Sequence, residues 1–274
     1  VLRNEGTWRS SCVAQLADAG YRCVNVGKMH SSPWETPLGF HERVVVENKD
    51  RDHPMVAFLH DELDKALFIR GERRQVRSPY RRRPDHRERR GVLQDTVIVF
   101  CSDHGDTLGD HGHVQKWTMY EGSVHVPALV WRPGRVRAQR VKQLVSLFDL
   151  GPTVLELAGC QVPSWMQART LLPVCVGEPW SGREVVFSEH ARDAILTATE
   201  LMTMAFDGRF RLVEFLDADD GQLSDLRADP GEEHSLFDSA DPEPRAARVR
   251  LHDAIAQWRT RSLFQTRDRQ LPLR

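Results

Sequence analysis

No apolar run in this 274-residue sequence approaches the roughly 20 residues needed to cross a bilayer, which excludes a membrane-spanning helix. Neither charge sign is in excess. Lys and Arg total 38 against 39 Asp and Glu, for a formal net charge of -1 at pH 7. A nucleic-acid or anionic-membrane partner therefore gains no general electrostatic support. Lysine is scarce, with Lys28, Lys49, Lys65, Lys116 and Lys142 set among many arginines. Each lysine is a candidate for a compact ammonium that a guanidinium cannot mimic. None of the five cysteines forms a CxxC pair, which argues against a disulfide scaffold or a zinc site. The sequence opens on Val1 without a recognisable signal peptide, and the compartment is left open.

What remains is ordinary globular material, 40% hydrophobic and 28% charged, enough to bury a sizeable core. Ser10–Ala19 predicts a helix stopped by Gly20, and Tyr21–Val26 a short strand ending at Gly27. Asp95–Cys101 (DTVIVFC) is nearly continuous in apolar and β-branched residues, as a central parallel strand buried on both faces would be. Val126–Trp131 predicts another strand. Asp149–Ala158 predicts a helix with Pro152 in its first turn and Gly159 beyond its end. Further on, Leu201–Phe206 and Arg209–Phe215 flank Asp207-Gly208, a hairpin signal, and Ala246–Trp258 has helical apolar spacing. Between Arg70 and Arg90 stand ten arginines in 21 residues, with a single aromatic, Tyr80, and no nucleic-acid motif. That stretch reads as a solvated insert rather than a binding patch.

Two clusters could carry chemistry. Asp103 and His104 follow DTVIVFC after a single residue, Ser102, where ligands gather outside the carboxyl ends of strands in open α/β sheets. A carboxylate beside an imidazole offers two ligands to a divalent cation, and a hydrogen-bonded histidine in a loop rich in aspartate and glycine is the alternative. Lys28 and His30 follow the strand ending at Gly27, and an extended backbone would send both to one face. An ammonium and an imidazole so placed suit an anionic oxyester, and a surface lysine with a capping histidine fits the spacing equally well. Lys116, His111 and His113 carry the same ambiguity.

These residues also carry a family resemblance. Ala19-Gly20-Tyr21-Arg22, Val26-Gly27-Lys28-Met29-His30 and Gly39-Phe40 resemble a sulfatase block with the same order. Thr96–His104, Gly109-Asp110-His111-Gly112, Lys116, Tyr120-Glu121 and Val126-Pro127 are similar to the second sulfatase signature. Ser146–Gly159 and Gln222–Leu236 resemble the third and fourth blocks, again in order. The resemblance implies an alkaline-phosphatase-like α/β sandwich with a central, mostly parallel sheet. Residues 1–175 would form the core, shortened and arginine-rich at 45–93, and 176–274 a smaller subdomain of antiparallel hairpin and terminal helix. It implies hydrolysis of small-molecule or sugar sulfate esters. The cofactor would be a divalent metal, calcium in the first place and manganese in the second, with Asp103 and His104 as two of its ligands. Lys28 and Lys116 match the lysines that hold the sulfate group and leaving oxygen, and His30 the histidine beside the nucleophile.

The sequence departs from the family pattern in one respect that bears on activity. Sulfatases convert a cysteine or serine in a C/S-x-P-x-R motif to formylglycine, and no such motif occurs here; Ser31-Ser32-Pro33-Trp34-Glu35 comes closest. In the family the nucleophile, its arginine and a pair of metal-binding aspartates precede the block that contains Lys28. The resemblance thus implies a chain truncated at its N-terminus, without its first strand and inactive alone. A phosphonate monoester or phosphodiester hydrolase of the same superfamily is the alternative, as is a non-catalytic sulfatase-like binding protein.

Overall fold

A computed structural model describes residues 11–27, 38–45, 93–192, 199–216 and 218–270. The chain divides into two compact units, residues 1–93 with 151–162, and residues 94–150 with 163–274. Position 175 lies inside the second.

In the first unit, helix α1 (Cys12–Asp18) starts where the Ser11 hydroxyl accepts a hydrogen bond from the Ala14 N–H at 3.0 Å. The same hydroxyl donates to Leu38 O at 3.1 Å, tying the helix to the return strand's approach. Strand β1 (Val24–Gly27) pairs in parallel with β2 (Glu42–Val45), Val24 opposite Glu42. Helix α3 (Leu150–Leu157; α2, Glu121–Val124, lies in the second unit) buries Leu155. It ends as the Gly159 N–H bonds Glu156 O and the Cys160 N–H bonds Leu155 O, with Gly159 at φ +76°. That is the paired closure which favours glycine at this position.

The second unit centres on a four-stranded antiparallel sheet in the order β5 (Val186–Ala191), β6 (Leu201–Phe206), β7 (Phe210–Phe215) and β8 (Gly221–Asp225). Strand alternation sorts its side chains to two faces. Ala205, Phe210, Leu212 and Leu223 point to one face and pack under Ala247, Leu251 and Ile255 of helix α5 (Pro242–Gln270; α4 is Leu172–Val176). Phe187 stacks on Trp258, ring centroids 4.8 Å apart, at the edge of that core. Met202, Met204 and Val213 point to the other face and are covered by Met119. The sheet is thus sandwiched between α5 and the chain segment that leads out of the predicted site.

The hairpin at Asp207-Gly208 forms as expected, with Gly208 at φ +95°. Helix α5 is longer than its predicted span, beginning at Pro242, a residue preorganised for a first helical turn, and running through a charged stretch with no apolar period. Strand β3 (Ile98–Cys101) is shorter than predicted; Leu93–Asp95 form a 3-10 turn and residues 96 and 97 lead from it into the strand. Its one hydrogen-bonded neighbour among the described residues is β4 (Ala128–Trp131), and the pairing is antiparallel rather than parallel. Phe100 is 53% exposed, so burial on both faces is not found within the described residues. β-Branched composition favours a pleated strand but does not encode the direction of its neighbour.

Candidate functional site

The segment between β3 and β4 turns sharply at its start. The Ser102 hydroxyl donates to His104 O at 2.6 Å, and the His104 N–H donates to the Asp103 carboxylate at 3.1 Å. Next comes a crossing of two backbones. The Gly105 N–H donates to Ser123 O at 2.8 Å, and a Cβ on Gly105 would lie 1.8 Å from Gly122 O. Only glycine permits that approach. Gly122 and Ser123 belong to the single-turn helix α2 (Glu121–Val124), which is therefore the platform on which Asp103 and His104 rest.

The loop beyond closes on itself. Asp106 Oδ1 accepts from the N–H groups of Leu108 and Gln115, both at 2.9 Å. The buried Thr107 bonds Gln115 O through its N–H (2.9 Å) and its hydroxyl (3.0 Å). These bonds bring the backbone of residue 115 beside residues 106 and 107, and Lys116 follows directly on that closure. The Lys116 ammonium lies 5.6 Å from the Trp117 ring centroid, within cation–π range, and Trp117 in turn meets the His190 ring edge-on at 5.4 Å. His111 stacks on Tyr120 with ring centroids 3.8 Å apart, which accounts for its left-handed φ of +54° by packing.

Asp103 and His104 converge. Nδ1 of His104 lies 2.6 Å from Gly105 O, and a carbonyl can only accept, so Nδ1 carries the proton. In the neutral ring Nε2 is then the lone-pair nitrogen, 3.6 Å from Oδ2 of Asp103 and too far for a direct hydrogen bond. Two donor atoms face one space, with the imidazole oriented from behind by a backbone carbonyl, as metal-bound histidines are. The Asp103 side chain is 86% exposed, open to an incoming cation. A carboxylate and an imidazole are both ligand types that a divalent cation can take. Among the described residues no group of three or more His, Cys, Asp or Glu side chains forms a complete metal site. Lys28 and His30, the other predicted site residues, lie outside the described residues, as does the arginine-rich stretch.

One network behind the site was not foreseen from the sequence. Arg211, on the sheet face that Met119 covers, is 3% exposed. Its Nη1 donates to Glu232 at 2.7 Å and its Nη2 bonds Glu121, while the Glu121 N–H donates to the second Glu232 oxygen at 2.7 Å. Burial pushes the Glu121 carboxyl up, but hydrogen bonds and charge from Arg211, with His125 helping, hold it below the usual carboxylate range. From the adjacent strand, Gln222 donates to the Tyr120 hydroxyl at 3.1 Å. The available signal was alternation: an arginine on the same strand face as buried Val213 needs acidic partners.

Comparison with known proteins bears on this arrangement. A family model described as N-sulphoglucosamine sulphohydrolase, C-terminal, matches residues 109–261. Arylsulfatase K of Xenopus laevis is 35% identical over 149 residues, covering 52% of this chain and 28% of that protein. Among solved structures, the phosphonate monoester hydrolase of Silicibacter pomeroyi is similar with a TM-score of 0.57 and 31% identity, over 64% of this chain and 37% of that one. A protein solved in complex with its substrate D-glucosamine-2-N,6-O-disulfate has a TM-score of 0.56 and 26% identity, over 68% and 37%. The chain spans well under half the length of each of these relatives.

Proposed function

This chain belongs to the sulfatase family and has part of its alkaline-phosphatase-like α/β fold, and from that membership we propose that it serves a hydrolase of sulfuric esters. The observation that carries the reading is the Asp103–His104 donor pair, backed by Gly105 and set at the closure from which Lys116 emerges. A sulfate monoester resists nucleophiles because its anionic oxygens repel them. Asp103 and His104 would hold a divalent cation, which when bound supplies Lewis-acid polarisation of the ester oxygens. The Lys116 ammonium neutralises an ester or leaving oxygen, and Lys28 would do the same from the other cluster. Each such contact is worth roughly 3–4 kcal/mol of barrier when preorganised. His30 is proposed to stand beside the nucleophile.

The substrate class favoured is a sulfated sugar or aryl sulfate. One neighbour was solved with a sulfated glucosamine, and another relative is an arylsulfatase. A second reading, a phosphonate monoester hydrolase, is favoured by the likeness to the Silicibacter pomeroyi enzyme at 31% identity. Profiling the full-length gene product with an aryl sulfate and the matching aryl phosphonate separates the two. Preferential turnover of the sulfate is expected, and preferential turnover of the phosphonate overturns the first reading. The 274 residues alone, which contain no C/S-x-P-x-R motif, are expected to give negligible turnover with aryl sulfate and calcium. Robust turnover abolished by Lys116→Ala would refute that expectation.

A further inference from the structure

We infer that Arg211, Glu232 and Glu121 are positioning residues for the Asp103–His104 pair, acting through the backbone crossing of Gly105 with Gly122 and Ser123. The inference rests on the functional reading above only for the purpose of the pair; the coupling itself is a matter of contacts. It begins in the turn after β8, where Glu232 holds a left-handed backbone (φ +54°), uncommon for a non-glycine residue, with its N–H on Asp229 O at 3.1 Å. In that conformation both carboxylate oxygens face inward, one to Arg211 Nη1 and the other to the Glu121 N–H, each at 2.7 Å. Arg211 closes the ring by bonding the Glu121 carboxylate. Its Nε has no hydrogen-bond partner among the described residues, so the guanidinium depends on these two acids for its solvation.

Glu121 opens α2, and the next two residues form the crossing: Gly122 O blocks any side chain at position 105, and Ser123 O accepts the Gly105 N–H at 2.8 Å. Gly105 O in turn holds His104 Nδ1 at 2.6 Å, which fixes the ring that faces Asp103. Four consecutive contacts thus run from a buried acid in the C-terminal turn to the imidazole of the candidate cation site, without passing through any exposed side chain until Glu121. Thr118 and Ser123, whose hydroxyls lie 3.2 Å apart, brace the same platform.

The test uses the whole chain, labelled with nitrogen-15, at one fixed pH. Glu232→Ala removes both acceptors. Losing a hydrogen bond to a charged group releases the Glu121 and Gly105 amides, which should exchange with solvent at least about tenfold faster. The His104 ring nitrogens should shift from the signature of a proton fixed on Nδ1 toward a mixture of tautomers, while the amides of Leu251 and Ile255 in α5 stay protected. Glu232→Gln, which keeps an acceptor oxygen, should restore part of both effects. Glu121→Gln, at a half-exposed side chain, serves as the variant that folds regardless and should move His104 in the same direction by less. A released Glu121 amide with unmoved Gly105 and His104 signals overturns the coupling, as does loss of protection spread evenly over α5. Neither result touches the sulfuric-ester reading, which is tested by turnover.

Discussion

Replacing Gly105 by alanine places a Cβ 1.8 Å from Gly122 O and 3.0 Å from its carbonyl carbon. The contact is more than an ångström shorter than any real Cβ tolerates, and the obstacle is backbone, which cannot rotate aside. The two strands of chain must part, and the Gly105 N–H to Ser123 O bond goes with them. Overpacking of this kind costs about 1–3 kcal/mol and the lost hydrogen bond about 1 more. We expect Gly105→Ala to lower stability by roughly 2–4 kcal/mol in urea denaturation. The matched control is Gly122→Ala at the same crossing. Its Cβ would meet Asp106 O at 3.4 Å, an ordinary contact, within a helix where alanine is the better former. That substitution should be neutral to within about 1 kcal/mol. If Gly105→Ala is as mild as Gly122→Ala, or if Gly122→Ala is the worse of the two, the crossing as described is wrong.

Three other outcomes follow from the packing. Leu212→Ala, at a fully buried side chain between the sheet and α5, should cost about 2–5 kcal/mol in the same assay. Asp149, fully buried, bonds the guanidinium of Arg183 and accepts from the N–H groups of Arg169 and Ser146. Burial pushes its carboxyl up, but those partners hold it below the usual range, so its stabilisation is present above the unfolded value of about 3.9 and fades as pH falls through the folded one. Asp149→Asn should therefore cost about 3 kcal/mol at pH 7, with the gap to wild type narrowing below about pH 4 when denaturation is followed against pH. Gly159→Ala, at φ +76° with nothing within 4 Å of the added Cβ, should cost about 1 kcal/mol through backbone strain alone, read as a small shift in urea midpoint.

Local signals read well where one residue type decides a conformation. Gly208 in its hairpin and Gly159 beyond α3 each stand where a short motif placed them. The extent of α5 was hidden, because its last turns are held by propensity rather than by an apolar stripe. The direction of the β3–β4 pairing was hidden for a different reason: an apolar strand looks the same to a parallel and an antiparallel neighbour. Within the site, Asp103, His104 and Lys116 were legible as motif residues. The support beneath them was not, since Arg211 reaches Glu121 across 90 residues and Glu232 reaches it across 111. Spacing along the chain carries no trace of such contacts until the sheet brings them together.

The claim on which the rest depends is that the end of β3 and the loop after it serve one oxyanion. It is tested most directly by steady-state turnover of an aryl sulfate by the full-length gene product, titrated with calcium after chelation, for wild type, Asp103→Ala and Lys116→Ala. Asp103→Ala should raise the calcium needed for half-maximal turnover. Lys116→Ala should leave that requirement in place and lower kcat by about 10²–10³. Turnover within twofold of wild type for both variants, at every calcium level, contradicts the assignment.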